Sequence, residues 1–113
     1  MRYLILISLF VLQSCFGGVS VTIENNSSGS IKDVLLIYTG GTQSIREISA
    51  NTSRSVTVNA SSESDMKISF VDSDGKKHSQ KIGVYFERGY SGNVIIKIGT
   101  DGNVTWVDKI ELY

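Results

Sequence analysis

Proline is absent from the 113-residue sequence, and cysteine and histidine occur once each. One cysteine cannot close an intramolecular disulfide, and with one histidine it cannot complete a Cys₄ or Cys₂His₂ zinc site or a Cys-X-X-Cys redox pair. The 11 Lys and Arg residues balance 11 Asp and Glu residues, so no basic surface for nucleic acid is expected. Without proline, slow isomerisation of X-Pro bonds does not enter folding. We therefore expect no metal, no cofactor and no nucleic-acid partner, in a chain long enough for one domain.

Long apolar segments are also lacking, since the longest run, residues 3–12, is interrupted by Ser8. A membrane-spanning helix needs about 20 apolar residues, so this run has the length of a signal-peptide core instead. The next residues, Leu-Gln-Ser-Cys at positions 12–15, resemble the lipobox of bacterial lipoprotein precursors. The resemblance implies that residues 1–14 are removed as a signal peptide and that Cys15 becomes an N-terminus carrying acyl chains such as palmitate.

A lipidated Cys15 implies a protein anchored in the bacterial cell envelope. Phe16, rather than an aspartate, follows the cysteine, and by resemblance to enterobacterial sorting this implies the outer membrane, facing the periplasm. An ordinary signal peptidase that cuts after Gly17 is the alternative, and it would release a secreted chain without the cysteine. A buried structural cysteine is the third possibility. Residues 15–18 form the expected lipidated tether, which reaches about 10–14 Å and keeps the domain close to the bilayer.

From Val19 onward the hydrophobic pattern has a period of two, and β-branched residues dominate the apolar runs. Clusters of Asn, Ser, Asp and Gly separate these runs, as turns between strands do. Strands are predicted at residues 19–24, 31–39, 44–48, 55–59, 66–71, 77–86, 94–98 and 104–112, and the last of these is expected to divide near Ile110. Residues 19–113 are therefore predicted to form one all-β domain, a small antiparallel β-sandwich of seven or eight strands that is immunoglobulin-like or transthyretin-like.

Two segments, residues 31–38 and 94–98, carry apolar side chains at consecutive positions. Such runs are typical of strands that are covered on both faces. We therefore expect these two strands to be central in their sheets. Trp106 lies between valines in the last predicted strand and is expected to join the core.

No catalytic residue is predicted, and we do not expect an enzyme. His78 lies in a polar stretch without a motif that supplies a partner, so it is expected to be a solvated strand histidine. Asp72-Ser73-Asp74-Gly75 opens like a calcium loop, but lysines follow it and Gly83 stands where an EF-hand requires a glutamate. This segment is therefore predicted to be a hairpin turn. The N-X-Ser/Thr sequences, at Asn25, Asn26, Asn51, Asn59 and Asn103, are attributed to turn composition rather than to glycosylation.

The segment of residues 85–93 combines aromatic residues, an arginine and glycines. Tyr and Arg are enriched at binding hot spots, so Arg88 and Tyr90 are the candidate partner-binding residues. In the alternative interpretation, Tyr85 or Phe86 fills the core and Tyr90 folds back onto the backbone.

The function that follows is a non-enzymatic envelope lipoprotein that binds another protein near the membrane. Such a protein would be an accessory subunit of an envelope or secretion machine, or a blocking protein of the immunity or inhibitor type. The alternative is a carbohydrate- or cell-wall-binding module that stacks sugars on Tyr90, Tyr38 or Trp106.

Overall fold

Eight β-strands occupy most of residues 18–111, the part of the chain that the computed structural model describes. They are β1 Val19–Asn25, β2 Ile31–Tyr38, β3 Gly41–Ile48, β4 Thr52–Val58, β5 Ser64–Val71, β6 Lys77–Phe86, β7 Ser91–Ile98 and β8 Val104–Glu111. The predicted signal peptide and the first three tether residues, Cys15, Phe16 and Gly17, lie outside the described residues. No helix among residues 18–111 is long and apolar enough to cross a bilayer.

The strands form two four-stranded sheets, ordered β4-β1-β7-β8 and β3-β2-β5-β6. Hairpins join β2 to β3, β5 to β6 and β7 to β8, while the other connections pass from one sheet to the other. The predicted all-β sandwich is thus confirmed. In the immunoglobulin arrangement the first strand pairs with the second, whereas here β1 pairs with β4 and β7. The two sheets of four strands fit the transthyretin-like alternative.

One strand pair departs from the antiparallel pattern that the sequence predicts. β1 and β7 run parallel, with Val19 opposite Gly92 and Asn25 opposite Ile98. All other pairs are antiparallel. Because parallel strands begin at the same end of a sheet, the segment that precedes β7 lies next to the start of β1.

The core lies between the sheets and consists of side chains at alternate strand positions. In β1, for example, Val19, Val21 and Ile23 point inward and are fully buried. Each such aliphatic side chain stabilises the fold by about 1.5–3 kcal/mol when it leaves water. The largest fully buried side chains are Phe70, Phe86, Ile23, Ile31, Leu36, Ile48, Met66, Ile68, Ile82, Ile96, Ile98 and Val19.

Several predicted strand boundaries are wrong. β4 and β7 begin at Thr52 and Ser91, three residues before the predicted positions 55 and 94, and β3 and β8 also differ from the prediction. β3 begins at Gly41 rather than at Ser44, because Thr39 and Gly40 alone make the hairpin turn and Gly40 adopts a φ of +96°. The first residues of β3 carry no aliphatic side chain, so the hydrophobic pattern did not mark them. β8 is continuous through Ile110 and does not divide.

The predicted central strands are indeed central, since β2 lies between β3 and β5, and β7 lies between β1 and β8. The expected cover on both faces is wrong, however. Ile37 is 39% exposed, and Leu35 and Ile95 are half buried. Their consecutive apolar residues reflect β propensity on an outer sheet face, and no third layer covers them among the described residues.

Candidate partner-binding surface

The sandwich has two ends that differ in their surface chemistry. We call the end at which the chain enters β1 the N-terminal end. It is made by Gly18 and by the connections at residues 39–40, 59–63 and 87–90. The opposite end, here the distal end, is made by the connections at residues 26–30, 49–51, 72–76 and 99–103.

The candidate residues Arg88 and Tyr90 lie at the N-terminal end, in the loop between β6 and β7. The loop is a turn in which the Tyr90 N–H donates to the Glu87 carbonyl over 3.1 Å, and Gly89 adopts a φ of +90°. A positive φ of this kind favours glycine. The turn therefore has a defined shape that displays Arg88 at its exposed corner.

The strand alternation of β6 decides which aromatic side chain of this segment reaches the core. Phe86 points inward and is 1% exposed, whereas Tyr85 points outward and is 50% exposed. The Tyr90 ring packs partly against the core and meets the Tyr85 ring edge-on, with centroids 5.9 Å apart at 73°. The alternative interpretation is thus correct for Phe86, but an aromatic pair remains at the surface beside Arg88.

Two carboxylates surround the Tyr85 hydroxyl. The hydroxyl donates to Glu87 Oε2 and lies 3.3 Å from Glu63 Oε1. The hydrogen bond to Glu87 raises the pKa of Tyr85 well above its usual value, and partial burial and the Glu63 charge act in the same direction. A shallow depression of about 330 Å³, lined in part by Glu63 and Tyr85, adjoins the pair.

Sequence reasoning did not identify Tyr85 as the exposed aromatic residue or Glu63 as its neighbour. The exposure of Tyr85 could have been predicted, because Ile82, Val84 and Phe86 alternate inward and leave Tyr85 on the other face of β6. The proximity of Glu63 could not have been predicted, because Glu63 lies in the connection between β4 and β5, which is distant from Tyr85 in the sequence.

Arg88 is exposed and presents its guanidinium to solvent. Among the described residues, the side-chain ion pairs within 4.0 Å are His78–Asp72 and Lys81–Asp65, so no described carboxylate pairs with Arg88. A guanidinium holds a planar fork of donors that matches a carboxylate. Together with the tyrosine pair, Arg88 offers a partner both directional hydrogen bonds and aromatic area.

At the distal end, the prediction that His78 is a solvated histidine without a partner is wrong. Its side chain is only 15% exposed, its ring stacks on Phe70 at 4.9 Å, and Nε2 lies 2.7 Å from Asp72 Oδ2. The Asp72 carboxylate also accepts the backbone N–H groups of Asp74 and Lys76. The hydrogen bond to His78 is the main cause that lowers the pKa of Asp72 below its usual value.

A histidine held by an aspartate is also an element of hydrolytic sites, where it activates a nucleophile. Here the His78 ring covers Gly102 so closely that a Cβ at that position would overlap the imidazole. Gly102 carries no nucleophile. His78, at the start of β6, therefore packs between the β5–β6 connection, where it bonds to Asp72, and the β7–β8 connection, where it covers Gly102. This is a structural contact.

The Asp72-Ser73-Asp74-Gly75 segment forms the predicted hairpin turn. Asp72 accepts the Gly75 N–H over 3.0 Å and donates its own N–H to the Lys76 carbonyl over 2.9 Å, while Gly75 has a φ of +82°. Within residues 18–111, no three or more His, Cys, Asp or Glu side chains are arranged to hold a metal ion.

Asn25 has an internal role that the sequence did not reveal. Its side chain is 0% exposed, and its amide donates to the carbonyls of Gly29 and Ile48, each over 2.9 Å. Its side-chain oxygen accepts the Ser27 N–H over 3.1 Å. Asn25 thereby ties the β1–β2 connection to the end of β3, and this buried amide is not open to glycosylation in the folded chain.

The other two aromatic residues of the carbohydrate-binding alternative are not open platforms. Trp106 is half buried and packs against the core, as expected in part, and a Cβ at Gly83 would lie 3.6 Å from its ring. Tyr38 is also half buried, and its ring lies 6.4 Å from that of Phe86. Flat stacking on a sugar requires an exposed ring face, which Tyr85 offers more fully than either.

No known protein family matches this sequence, and no curated protein matches it. The structure is similar to the NMR structure of the protein from Eubacterium rectale, with a TM-score of 0.58 over 80% of this chain and 86% of that chain. The two sequences are 14% identical. At this level the likeness shows a shared fold and carries no function from one protein to the other.

Proposed function

We propose that this chain is a lipid-anchored, non-enzymatic module of the bacterial envelope that binds another protein through the loop containing Arg88 and Tyr90. One observation carries the proposal: the turn between β6 and β7 displays Arg88, which has no carboxylate partner among the described residues, next to the exposed Tyr85 ring near the end of β6 and the half-buried Tyr90 ring that packs on it. Arg and Tyr supply much of the affinity in protein interfaces because they combine area with directional bonds. An accessory subunit and a blocking protein both fit this surface.

The anchor in this proposal is Cys15, with the domain on the periplasmic side of the outer membrane. Its support is the lipobox-like sequence at positions 12–15 and the lack of any second cysteine. Mass spectrometry of the natural protein tests the anchor directly, and the expected N-terminus is an acylated Cys15. The Cys15→Ser variant should keep its leader uncut, whereas a trimmed soluble product would assign cleavage to the ordinary peptidase.

The carbohydrate-binding alternative receives less support, because Tyr38 and Trp106 are half buried. A non-enzymatic role is favoured by the setting of His78, whose ring faces Asp72, Phe70 and Gly102 rather than a nucleophile. Titration with cell-wall oligosaccharides, followed by tryptophan fluorescence, separates the two functions. A flat titration is the result expected here.

Affinity measurements on alanine variants test the surface. Arg88→Ala and Tyr90→Ala should each weaken the complex with a captured partner by more than about 1 kcal/mol. Arg54→Ala is the matched control, since Arg54 is an exposed arginine on β4, opposite Ile23. If the Arg54 variant loses as much affinity as the Arg88 variant, the loop is not the binding surface.

A further inference from the structure

We infer that the partner of this loop is a protein held in the same membrane and contacted close to the lipid headgroups, not a freely diffusing protein. The inference rests on the proposed function, because it takes Cys15 as the anchor and the Arg88–Tyr90 loop as the contact. It adds the class of partner and the place where the contact is made.

The parallel pairing of β1 with β7 places the loop beside the anchor. Val19, the first residue of β1, lies directly opposite Gly92, and Tyr90 precedes Gly92 by two residues. Neighbouring strands are about 4.8 Å apart and each strand residue adds about 3.4 Å. Tyr90 is therefore about 10 Å from the point at which the chain leaves the sandwich toward Cys15. Antiparallel pairing would have placed this loop at the distal end.

The tether limits how far the loop can move from the bilayer. Phe16, Gly17 and Gly18 separate Cys15 from β1, and this stretch spans at most about 14 Å even when fully extended. The loop therefore remains within about 25 Å of the lipid in every orientation of the domain. A soluble partner of about 100 residues, with a radius of gyration near 13 Å, is itself about 25 Å thick. Such a partner would have to fill the whole space between the loop and the lipid. A protein in the same membrane already presents surface at this height.

The charges of the N-terminal end favour a protein over the lipid itself as the occupant. Glu63, Glu87 and Glu111 outnumber Arg88 and Lys109 at this end, while Asp65 pairs with Lys81. Such a surface lacks the cluster of Lys and Arg residues that anionic headgroups attract. A protein can instead match it group by group, with a carboxylate for the Arg88 guanidinium and an apolar or cationic side chain for the tyrosine pair.

Site-specific photo-crosslinking in the intact lipoprotein tests the inference. Tyr85, an exposed aromatic residue of the pair, is replaced by p-benzoylphenylalanine, with the same replacement at exposed Asp101 of the distal end as the control. A second version of each chain carries 20 additional Gly and Ser residues between Gly18 and Val19. Position 85 should crosslink to a membrane-fraction protein, and the longer tether should lower the yield roughly tenfold, since effective concentration falls with about the 3/2 power of tether length. Position 101 should show no such dependence.

The outcomes separate the inference from the proposed function. An equal yield with both tethers, or crosslinking to a soluble protein, overturns the inference but leaves the loop as a contact surface. Crosslinking to phospholipid alone overturns it in favour of a lipid contact. Absence of crosslinks from position 85 with either tether rejects the loop as a binding surface and thus the proposed function. Acylation of each chain is verified first by mass spectrometry. If the long-tether chain is not acylated, a Cys15→Ser form that is secreted behind a cleavable leader replaces it. This unanchored form should lose the crosslink.

Discussion

The two ends of the sandwich treat their polar and aromatic side chains in opposite ways. At the distal end, Asn25, Asp72 and His78 turn inward and bond to backbone groups or to each other. At the N-terminal end, Tyr85 and Arg88 remain at the surface, although both chain neighbours of Tyr85 are buried. A polar side chain that is buried and hydrogen-bonded within the fold has little to offer a partner, whereas the Tyr85 ring and Arg88 remain accessible. The distal end thus closes the fold, and under the proposed function the N-terminal end supplies the contact with a partner.

The largest expected effect concerns a glycine that closes the N-terminal end. Gly92 has a φ of +110°, and a Cβ there would overlap the Lys109 carbonyl and lie 2.9 Å from the Ile110 Cα. The overlapping atoms belong to the backbone of β8. Relieving the overlap would therefore separate β7 from β8 and break the backbone hydrogen bonds between them. We expect Gly92→Ala to lower the free energy of unfolding by more than about 4 kcal/mol or to prevent folding, as measured by urea denaturation.

Gly75→Ala is the matched control, since Gly75 also has a positive φ of +82° but a Cβ there meets nothing within 4 Å. That variant should lose only the conformational cost of about 1–2 kcal/mol. Similar losses for the two variants would mean that backbone strain, and not the close approach of β7 to β8, makes Gly92 necessary.

The next effect concerns Asn25 at the distal end. Asn25→Ala leaves the buried carbonyls of Gly29 and Ile48 without this donor, and each unsatisfied buried group costs about 1–3 kcal/mol. We expect a loss of about 2–4 kcal/mol in chemical denaturation. Neighbouring Asn26 is exposed, so Asn26→Ala should change stability by less than about 0.5 kcal/mol. Equal effects at both positions would contradict the internal role of Asn25.

A smaller, pH-dependent effect concerns Asp72. Its pKa is lowered from the ordinary value near 3.8, chiefly by the His78 hydrogen bond. A carboxyl whose pKa is lower in the folded state stabilises the fold above its unfolded pKa, and this contribution is lost as the pH falls through the folded pKa. The thermal midpoint should therefore fall as the pH drops below about 4, and less steeply in Asp72→Asn than in the native chain. An unchanged slope in Asp72→Asn would show that Asp72 does not cause this pH dependence.

The last prediction concerns Tyr85, where we expect the smallest change in stability but a specific change in the tyrosine absorbance titration. The bond to Glu87 raises its pKa above the usual value, so one tyrosine should resist ionisation in an alkaline absorbance titration. Glu87→Gln removes a negative charge and should bring that tyrosine back toward its ordinary pKa. A titration in which all tyrosines ionise together, in both chains, would show that the carboxylates do not surround Tyr85 in solution.

The sequence predicted the strands well because alternation of buried and exposed side chains is a local property. Met66, Ile68 and Phe70 of β5, for instance, are buried as their spacing predicts. It failed where hydrophobicity did not mark the strand, as in the Gly41-Thr42-Gln43 start of β3. It also failed where apolar residues lie on a solvent-facing sheet surface, as Ile37 does.

The site was predicted only in part, because its parts meet through contacts between distant segments. Arg88 and Tyr90 are local to one loop, and the sequence could single them out. Glu63 reaches Tyr85 from another connection, and His78 finds Asp72 and Phe70 only once the hairpin register is set. The proximity of the loop to the N-terminus depends on a parallel pair whose strands are about 70 residues apart, and no short-range pattern encodes that pairing.

The pairing of β1 with β4 and β7 also sets the order in which the chain can fold. β1, the first of the described strands, is a central one, and its second neighbour, β7, is not complete until Ile98 has emerged. Pairings between distant strands slow folding to roughly milliseconds or longer. The chain loses the entropy of closing a long loop before the strand contacts that stabilise the fold can form. The sheet β4-β1-β7-β8 therefore cannot close until the chain is complete through Ile98, whereas all strands of the other sheet are present by Phe86.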